Sequence, residues 1–266
     1  MNNKCKTHRE YVKSLKQHTL LIHLIRIILA LGFIIMWETA ARTGLIDAFI
    51  FSSPKRIADC FIDLLKEKIL LKHIYVTINE TLICFAIVMA ASVLSAILMW
   101  WWRSLFEIFE PFLILLNSLP KSALAPVLIV WLGNNQKTII TAAISVAVFG
   151  SIMSIYSSFI ETDIEKIKLI ETLGGKKRHS LFLLVIPSSF PTIINTMKVN
   201  LGLSLVGVII GEFLAAKKGL GYLIIYGSQI FKMDWVLMSI VILAVLSIIL
   251  YFLINLLEKI VKKRWS

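Results

Sequence analysis

The stretch KLIETLGGKKRHSLFLLVIPSSFP, residues 168–191, is a polar island set between two apolar runs, 139–160 and 190–211. Leading into it, Ile160, Ile164, Ile167, Ile170 and Leu173 recur every three or four residues, with Glu165, Lys166, Lys168 and Glu171 beside them. That spacing predicts a short amphipathic helix. Gly174 suits the left-handed turn that ends such a helix, and Lys176, Lys177 and Arg178 follow it as a basic patch. A helix of this type can lie in a groove of a soluble partner, anchored by apolar contacts and oriented by its rim charges. It can also lie on a membrane surface, which the basic patch would suit.

The flanking runs decide the fold class. With 58% hydrophobic and 17% charged residues, the chain is too apolar for a soluble domain of its length. Runs 82–102, 139–160 and 235–257 contain no charge, and each exceeds the roughly 20 residues a helix needs to cross about 30 Å of hydrocarbon. Runs 111–132 and 190–211 carry one lysine each, Lys121 and Lys198. A sixth, 20–41, has His23 and Arg26 near its start, where long side chains reach the headgroups. The expectation is an all-α integral membrane protein with six transmembrane helices and both ends on one side.

A net charge of +12 raises the question of nucleic acid, but the distribution of charge answers it with topology. The N-terminal tail holds Lys4, Lys6, Arg9, Lys13 and Lys16; the polar island and its approach hold Lys166, Lys168, Lys176, Lys177 and Arg178; the C-terminal tail holds Lys259, Lys262, Lys263 and Arg264. The short loops on the other side hold only Lys137, Lys217, Lys218 and Lys232. The positive-inside rule therefore predicts cytoplasmic termini in a plasma membrane protein. The first outer loop, 42–80, is basic as well, but Asp47, Asp59, Asp63, Glu67 and Glu80 offset much of that charge. Cys5, Cys60 and Cys84 are odd in number, at no metal-like spacing and in three compartments, so neither a disulfide framework nor a metal site is expected. The first apolar run starts late, is longer than a signal peptide and lacks a small-residue cleavage site, so it reads as a retained anchor.

The chain divides into three parts. Residues 1–72 comprise a cytoplasmic tail, the first span and an outer amphipathic helix, with Ser53 as N-cap, Pro54 at the first helical position and Ile57, Phe61, Leu64, Leu65 and Ile69 at helical spacing. Residues 73–258 form a five-helix core with a loop at 160–186, and 259–266 a basic tail. Trp100, Trp101 and Trp102 close the second span as an aromatic girdle, followed by Arg103. Pro111, Pro120 and Pro126 punctuate the third span, a pattern tolerated where neighbouring protein or a water-filled cavity satisfies the freed carbonyls.

The polar island resembles the loop by which permease subunits of bacterial ABC importers grip their ATPase, whose pattern is Glu-Ala-Ala, three residues, Gly, nine residues, then Ile-x-Leu-Pro. Gly174, Leu184, Ile186 and Pro187 occupy the later positions, whereas Lys168, Leu169 and Ile170 stand where the pattern has Glu-Ala-Ala. The likeness extends along nearly the whole chain to the nitrate, sulfonate and taurine branch of those permeases. The proline-rich third span before Trp131-Leu132-Gly133, the segment GVIIGEFLAAKKGLGYLII at 207–225, Trp37-Glu38, Ser53-Pro54 and the closing Arg264-Trp265 are all similar to that branch. The resemblance implies a type I ABC importer permease fold and a homodimer of this chain. It also implies an ABC ATPase subunit that binds ATP and Mg, an extracytoplasmic solute-binding protein, and a small anion such as an alkanesulfonate, taurine or nitrate as cargo. Within it, Ile164, Ile167, Lys168, Leu169, Ile170, Leu173, Gly174 and Pro187 are the ATPase-coupling residues. The rival is a self-contained channel or ion-gradient-driven secondary transporter, which predicts an inverted repeat with matching broken helices; only the segment around Pro120 is broken.

Polar groups inside spans are costly and mark a cavity or a helix contact. Asn117, Lys121, Asn195, Lys198 and Asn200 in the third and fifth spans qualify, as does Glu212 near the outer end of the fifth. Lys121, beside a kink, offers positive potential to an anion or pairs with a neighbouring carboxylate or carbonyl. Glu212 reads as a gate or helix-packing residue. Ala142, Ala143, Gly202 and Gly207 are small enough to let helices approach closely. The run Gly174-Gly175-Lys176-Lys177 lacks the spacing of a phosphate-binding loop and follows a helix, so ATP is expected on another polypeptide. His8, His18, His23, His73 and His179 fall in tails, loops or a span's first turn without an evident partner, and no hydrolase motif occurs. No catalytic residue is expected.

Overall fold

The computed structural model describes residues 8–265; the first basic residues of the N-terminal tail, Lys4 and Lys6, and the terminal Ser266 lie outside them. In chain order the helices are α1 (His8–Arg42), α2 (Ala48–Phe51), α3 (Pro54–Lys66), α4 (Ile69–Trp101), α5 (Arg103–Ser118), α6 (Lys121–Leu132), α7 (Gln136–Ile160), α8 (Ile164–Thr172), α9 (Lys177–Ser180), α10 (Ile186–Ala215), α11 (Leu220–Gln229) and α12 (Met233–Trp265). A π-turn, Leu181–Val185, joins α9 to α10. No strand occurs among the described residues.

Among the described residues, five helical stretches are long and apolar enough to cross a membrane: His18–Arg42, Ile69–Trp101, Gln136–Ile160, Lys177–Ala215 and Met233–Leu256. The pair α5 and α6, bent by 89°, supplies a sixth crossing when taken as one. The spans are longer than their apolar cores. Residues 69–80, expected in an outer loop, are the first turns of α4, and the basic patch Lys176–Arg178 leads straight into the fifth span. Ile160 closes α7 and is separated from α8 by a turn, so it is not part of the short helix to which its spacing assigned it.

The break between α5 and α6 has a local cause. Leu119 precedes Pro120 and takes the extended conformation that proline imposes on its neighbour (φ −62°, ψ 138°). Pro120 also brings no N–H to the carbonyl of Leu116. The Lys121 ammonium donates to that same carbonyl and sits 5.4 Å from the Phe149 ring centroid. Lys121 thus stands at the start of a helix, closing the break, and not within a continuous span.

The centre of the bundle is α4, α7 and α10. The antiparallel helices α7 and α10 meet along a seam with two halves. Toward the end that carries α8, called here the loop end, hydroxyl and amide groups pair across it. Ser151 Oγ donates to Asn200 Oδ1 (2.6 Å), Ser154 and Thr196 share a 3.3 Å bond, Ser189 donates to the Ser158 carbonyl (3.0 Å), and Thr162 and Ser188 meet at 3.2 Å. Toward the far end, the seam narrows to backbone contact. A Cβ on Gly207 would lie 2.7 Å from Ala143 Cα, and one on Gly211 would lie 2.9 Å from Ile139 Cα. Gly202 faces open space and plays no part in this approach.

Apolar clusters flank the seam. Phe159, Ile155, Leu181 and Val185 pack at the loop end with Met99 and Leu113. Leu64, Leu70, Leu220, Leu223 and Met238 pack at the far end, tying α3 and α11 to α4 and α12. The Ser53 cap on α3 is present, accepting from Arg56 N at 3.3 Å. Of the α3 stripe only Ile57 and Leu64 are buried, while Phe61 and Leu65 remain exposed. Asp234 at the head of α12 accepts from Arg56 (2.8 Å) and from Ser52, clamping α3 in place.

The seam predicts a contrast between two glycines on one helix. Gly207→Leu is expected to lower the thermal unfolding temperature of the detergent-purified protein, since overpacking costs about 1–3 kcal/mol. Gly202→Leu is expected to leave it unchanged.

Candidate functional site

At the loop end, α8 stands away from the bundle. Asp163 caps it, accepting from Glu165 N at 2.9 Å, and no residue of the helix is buried. Its apolar stripe splits into two. Ile167 and Ile170 are half-buried, Ile167 against the Phe159 cluster. Ile164, Leu169 and Leu173 point outward at 65%, 58% and 79% exposure, with Lys168 exposed among them. Gly174 takes φ +83° and ends the helix, as its position predicted. Gly175 is equally constrained: its N–H reaches the Ile170 carbonyl at 2.8 Å, and an added Cβ would collide with that carbonyl.

From this turn the chain is tied back to the bundle by Lys177. Its ammonium donates to the carbonyl of Trp101, at the end of α4, and lies 5.4 and 5.6 Å from the ring centroids of Trp100 and Trp101. Beyond it, the π-turn arises next to Pro187. Ile186 N bonds Leu181 O, one residue further back than in an α-helix, and Pro187 has no N–H to offer the Leu183 carbonyl.

The polar residues predicted within spans do not converge on one site. Asn117 is exposed on α5 and its amide packs against Gly150. Asn195 is exposed. Lys198 pairs with Glu258 of α12 at 2.5 Å, both side chains about four-fifths covered. Asn200 is buried in the seam, bonded to Ser151 and 3.1 Å from Met89 Sδ. Lys121 closes the Pro120 break.

Glu212 belongs to a different arrangement, at the far end. Its side chain is fully buried. Oε1 accepts from Thr77 Oγ1 at 2.7 Å, and Oε2 accepts from Gly221 N at 2.6 Å. Thr77 Oγ1 in turn accepts from Leu220 N (2.8 Å), and His73 Nδ1 meets both the N–H and the carbonyl of Gly219, at 2.9 and 3.0 Å. Three residues of α4 and α10 thus hold the entry to α11. Gly219 is at φ +113°, and a Cβ there would overlap the Glu212 carboxyl. His73, placed by its sequence position in a loop without a partner, is a buried member of this cluster and stacks at 6.0 Å on Tyr222. Glu80, one helical turn from Thr77, completes the cluster beside Gln136 and Glu212. No group of three or more metal-ligating side chains occurs among the described residues.

The family of binding-protein-dependent transport system inner membrane components matches residues 82–266. The chain belongs to that family. This permease is 27% identical to the formylaminopyrimidine transport permease protein ThiX of Halalkalibacterium halodurans, over 72% of its own length and 76% of that protein's. It is 22% identical to an aliphatic sulfonates transport permease protein, SsuC, of Bacillus subtilis, over 85% of its length and 82% of that protein's. A chain of the MetNI methionine ABC transporter, solved in inward-facing conformations, superposes on it with a TM-score of 0.62 at 15% identity, covering 76% of this chain and 98% of that one. The fold is that of type I ABC importer permeases.

For a multi-pass permease, the Glu212 cluster solves a specific problem. The α10–α11 connection comes to the surface at Lys217 and Lys218, but the head of α11 is buried, and the N–H groups of Gly219, Leu220 and Gly221 receive side-chain acceptors in place of water. Glu212→Ala leaves the Thr77 hydroxyl and the Gly221 N–H without an acceptor, at about 1–3 kcal/mol for each buried group left unpaired. A fall in unfolding temperature is expected for Glu212→Ala, a smaller one for Glu212→Gln, which keeps an amide oxygen, and a fall of the first kind for Gly219→Ala. Equal stability of all three with the wild type would contradict this assignment.

Proposed function

We propose that this permease couples solute movement to a separate ABC ATPase through α8, and that it carries a small anion of the sulfonate kind across the cytoplasmic membrane. The observation that carries the coupling reading is the outward apolar pair Leu169 and Leu173, four residues apart, with Ile164 exposed at the start of a helix that has no buried residue. Such a face is suited to a groove on a soluble partner. The ATP and Mg are held by that partner, since no phosphate-cradling motif occurs in this sequence.

In this reading the termini and α8 lie in the cytoplasm, as the distribution of lysine and arginine favours, and the far end faces an extracytoplasmic solute-binding protein. Residues 1–72 are the peripheral part, 73–258 the transporting core and 259–266 a basic tail. The pathway forms between this chain and a second copy within the bilayer, with Asn117 and Lys121 as its accessible polar groups; Lys198, Asn200 and Glu212 support it from within the bundle. The likeness to SsuC supports the sulfonate class and the nitrate, sulfonate and taurine branch, while the likeness to ThiX keeps nitrogen heterocycles in view.

Force from the ATPase enters at Ile164, Leu169 and Leu173, with Ile167, Lys168 and Ile170 completing α8. It turns at Gly174 and leaves through Lys177 to the end of α4 and through Pro187 to α10. When ATP draws the two ATPase subunits together, the paired α8 helices follow and the spans tilt to open the far end.

Two measurements test this. Leu169→Glu with Leu173→Glu places two charges on an exposed face, so the variant is expected to keep the wild-type unfolding temperature and to lose the co-purifying ATPase; retention of the ATPase would sink the docking assignment. Lys177→Met is expected to keep the ATPase bound while lowering the solute taken up per ATP hydrolysed in proteoliposomes. An unchanged ratio would remove Lys177 from the coupling path.

A further inference from the structure

Among the described residues Glu80 and Glu212 are the two buried glutamates, at 3% and 0% exposure. They meet between α4 and α10 at the far end, where the Glu80 carboxyl lies against the Glu212 carboxyl and the Gln136 side chain. Glu80 shares one face of α4 with Thr77, which itself bonds Glu212 at 2.7 Å. An ionised carboxylate can only accept hydrogen bonds, and two of them side by side repel. Contact between these two groups therefore requires a proton.

The surrounding bonds say which group carries it. Glu212 accepts at both oxygens, from Thr77 Oγ1 and from Gly221 N at 2.6 Å, so its surroundings are those of a carboxylate. Glu80 Oε2 is buried and no protein donor reaches it. An oxygen in that position is satisfied when it is the donor, as a protonated glutamate provides. No neighbouring cation takes the place of the proton. His73 Nδ1 accepts from Gly219 N at 2.9 Å, and Tyr222 stacks on its ring. Cys84, one turn further along α4, sits beside Ser204. Lys137, Lys217 and Lys218 stand exposed, and none is ion-paired to a carboxylate among the described residues.

We infer that Glu80 and Glu212 hold one proton between them, Glu80 donating it to Glu212, and that this proton clamps α4 to α10 at the far end. Its loss leaves two like charges in a buried site with no cation, which drives the two helices apart. A cavity of about 390 Å³ between the start of α4, the α6–α7 turn and the end of α10 is lined in part by Glu80, while Oε2 stays covered. That cavity is the way out for the proton, which passes to water there. A glutamate in the unfolded chain is ionised at neutral pH, so unfolding releases the proton. The folding equilibrium constant is then expected to fall by up to tenfold for each pH unit while the pair stays protonated in the folded protein. The clamp is therefore firm at neutral pH and loosens as the pH rises. It needs neither ATP nor a partner, and it stands whether or not α8 docks an ATPase.

The test uses the purified full-length permease in detergent. Infrared spectra at neutral pH are expected to show the carbonyl stretch of a protonated carboxyl group, shifted in heavy water and lost in Glu80→Gln. The amide of that variant still offers Glu212 a donor, so the variant is expected to keep the contact and lose its dependence on pH. Between about pH 7 and pH 9 the unfolding temperature of the wild type is expected to fall more steeply than that of Glu80→Gln, by the equivalent of one proton. Where Glu80→Gln does not fold, the wild type made with carboxyl-labelled glutamate decides. An isotope shift of the band assigns the proton to a glutamate, and Glu80 and Glu212 are the buried ones. The inference is overturned if the band is absent from the wild type, persists in Glu80→Gln or shows no isotope shift, and equally if the two proteins share one pH dependence. An unfolding temperature that rises with sodium in place of the band would make the pair a cation site and overturn it too. None of these readouts involves α8 or the ATPase, so a failure here leaves the coupling reading standing.

Discussion

Hydrocarbon offers nothing to a free N–H or carbonyl, so a membrane helix that ends within protein must find a side chain to take its place. This permease does so at several of its breaks. Lys121 takes the Leu116 carbonyl that Pro120 releases, and Thr138 takes the Gly133 carbonyl at the α6–α7 turn. Lys177 takes the Trp101 carbonyl at the end of α4. His73, Thr77 and Glu212 take the N–H groups of Gly219, Leu220 and Gly221 at the head of α11. The polar residues that stand out in an apolar chain are largely explained by this requirement.

The same requirement leaves the α7–α10 seam free to act as the rigid axis. Where Gly207 and Gly211 allow backbone contact with α7, van der Waals packing holds the pair with no polar group needed. Where the helices carry larger residues, the bonds from Ser151, Ser154, Ser189 and Thr162 keep them in register. Each such bond is worth about 0.6 kcal/mol in membrane proteins. Register here comes from having several of them along one line, which a one-turn slip would break together.

What could be read from the chain follows the range of the interactions involved. Spans were legible because apolar length is a local property, and the Ser53 cap and the Gly174 turn were legible because a cap and a left-handed glycine act within one turn. The roles of His73, Thr77 and Glu80 were not, because each is set by a partner far along the sequence, on α10, α11 or the α6–α7 turn. Their spacing held a weak signal: His73, Thr77 and Glu80 lie three to four residues apart and so share one face of α4. The partner of Lys198 was out of reach for the same reason. Glu258 is sixty residues away, and within its own span Lys198 has the look of a lone cation. Ile160 fitted the periodicity of α8, but the turn at 161–163 resets the helical phase, and periodicity carries no information across such a reset.

The division of labour between the two ends follows from how each is held. At the far end, α11 is fixed by buried bonds and by a glycine whose replacement has no room, so it moves with α4 and α10 as one body. At the loop end, α8 is attached by half-buried Ile167 and Ile170, by the Gly174–Gly175 turn and by one lysine over two tryptophans. A contact of that kind tolerates sliding, because a cation above an aromatic face and a single capped carbonyl have no sharply preferred register. Motion imposed on α8 can therefore change the angle at which α4 and α10 are pulled without unzipping either. In the coupling proposed for α8, a stiffer attachment would carry the same force and would leave the helix no freedom to follow a partner through its cycle.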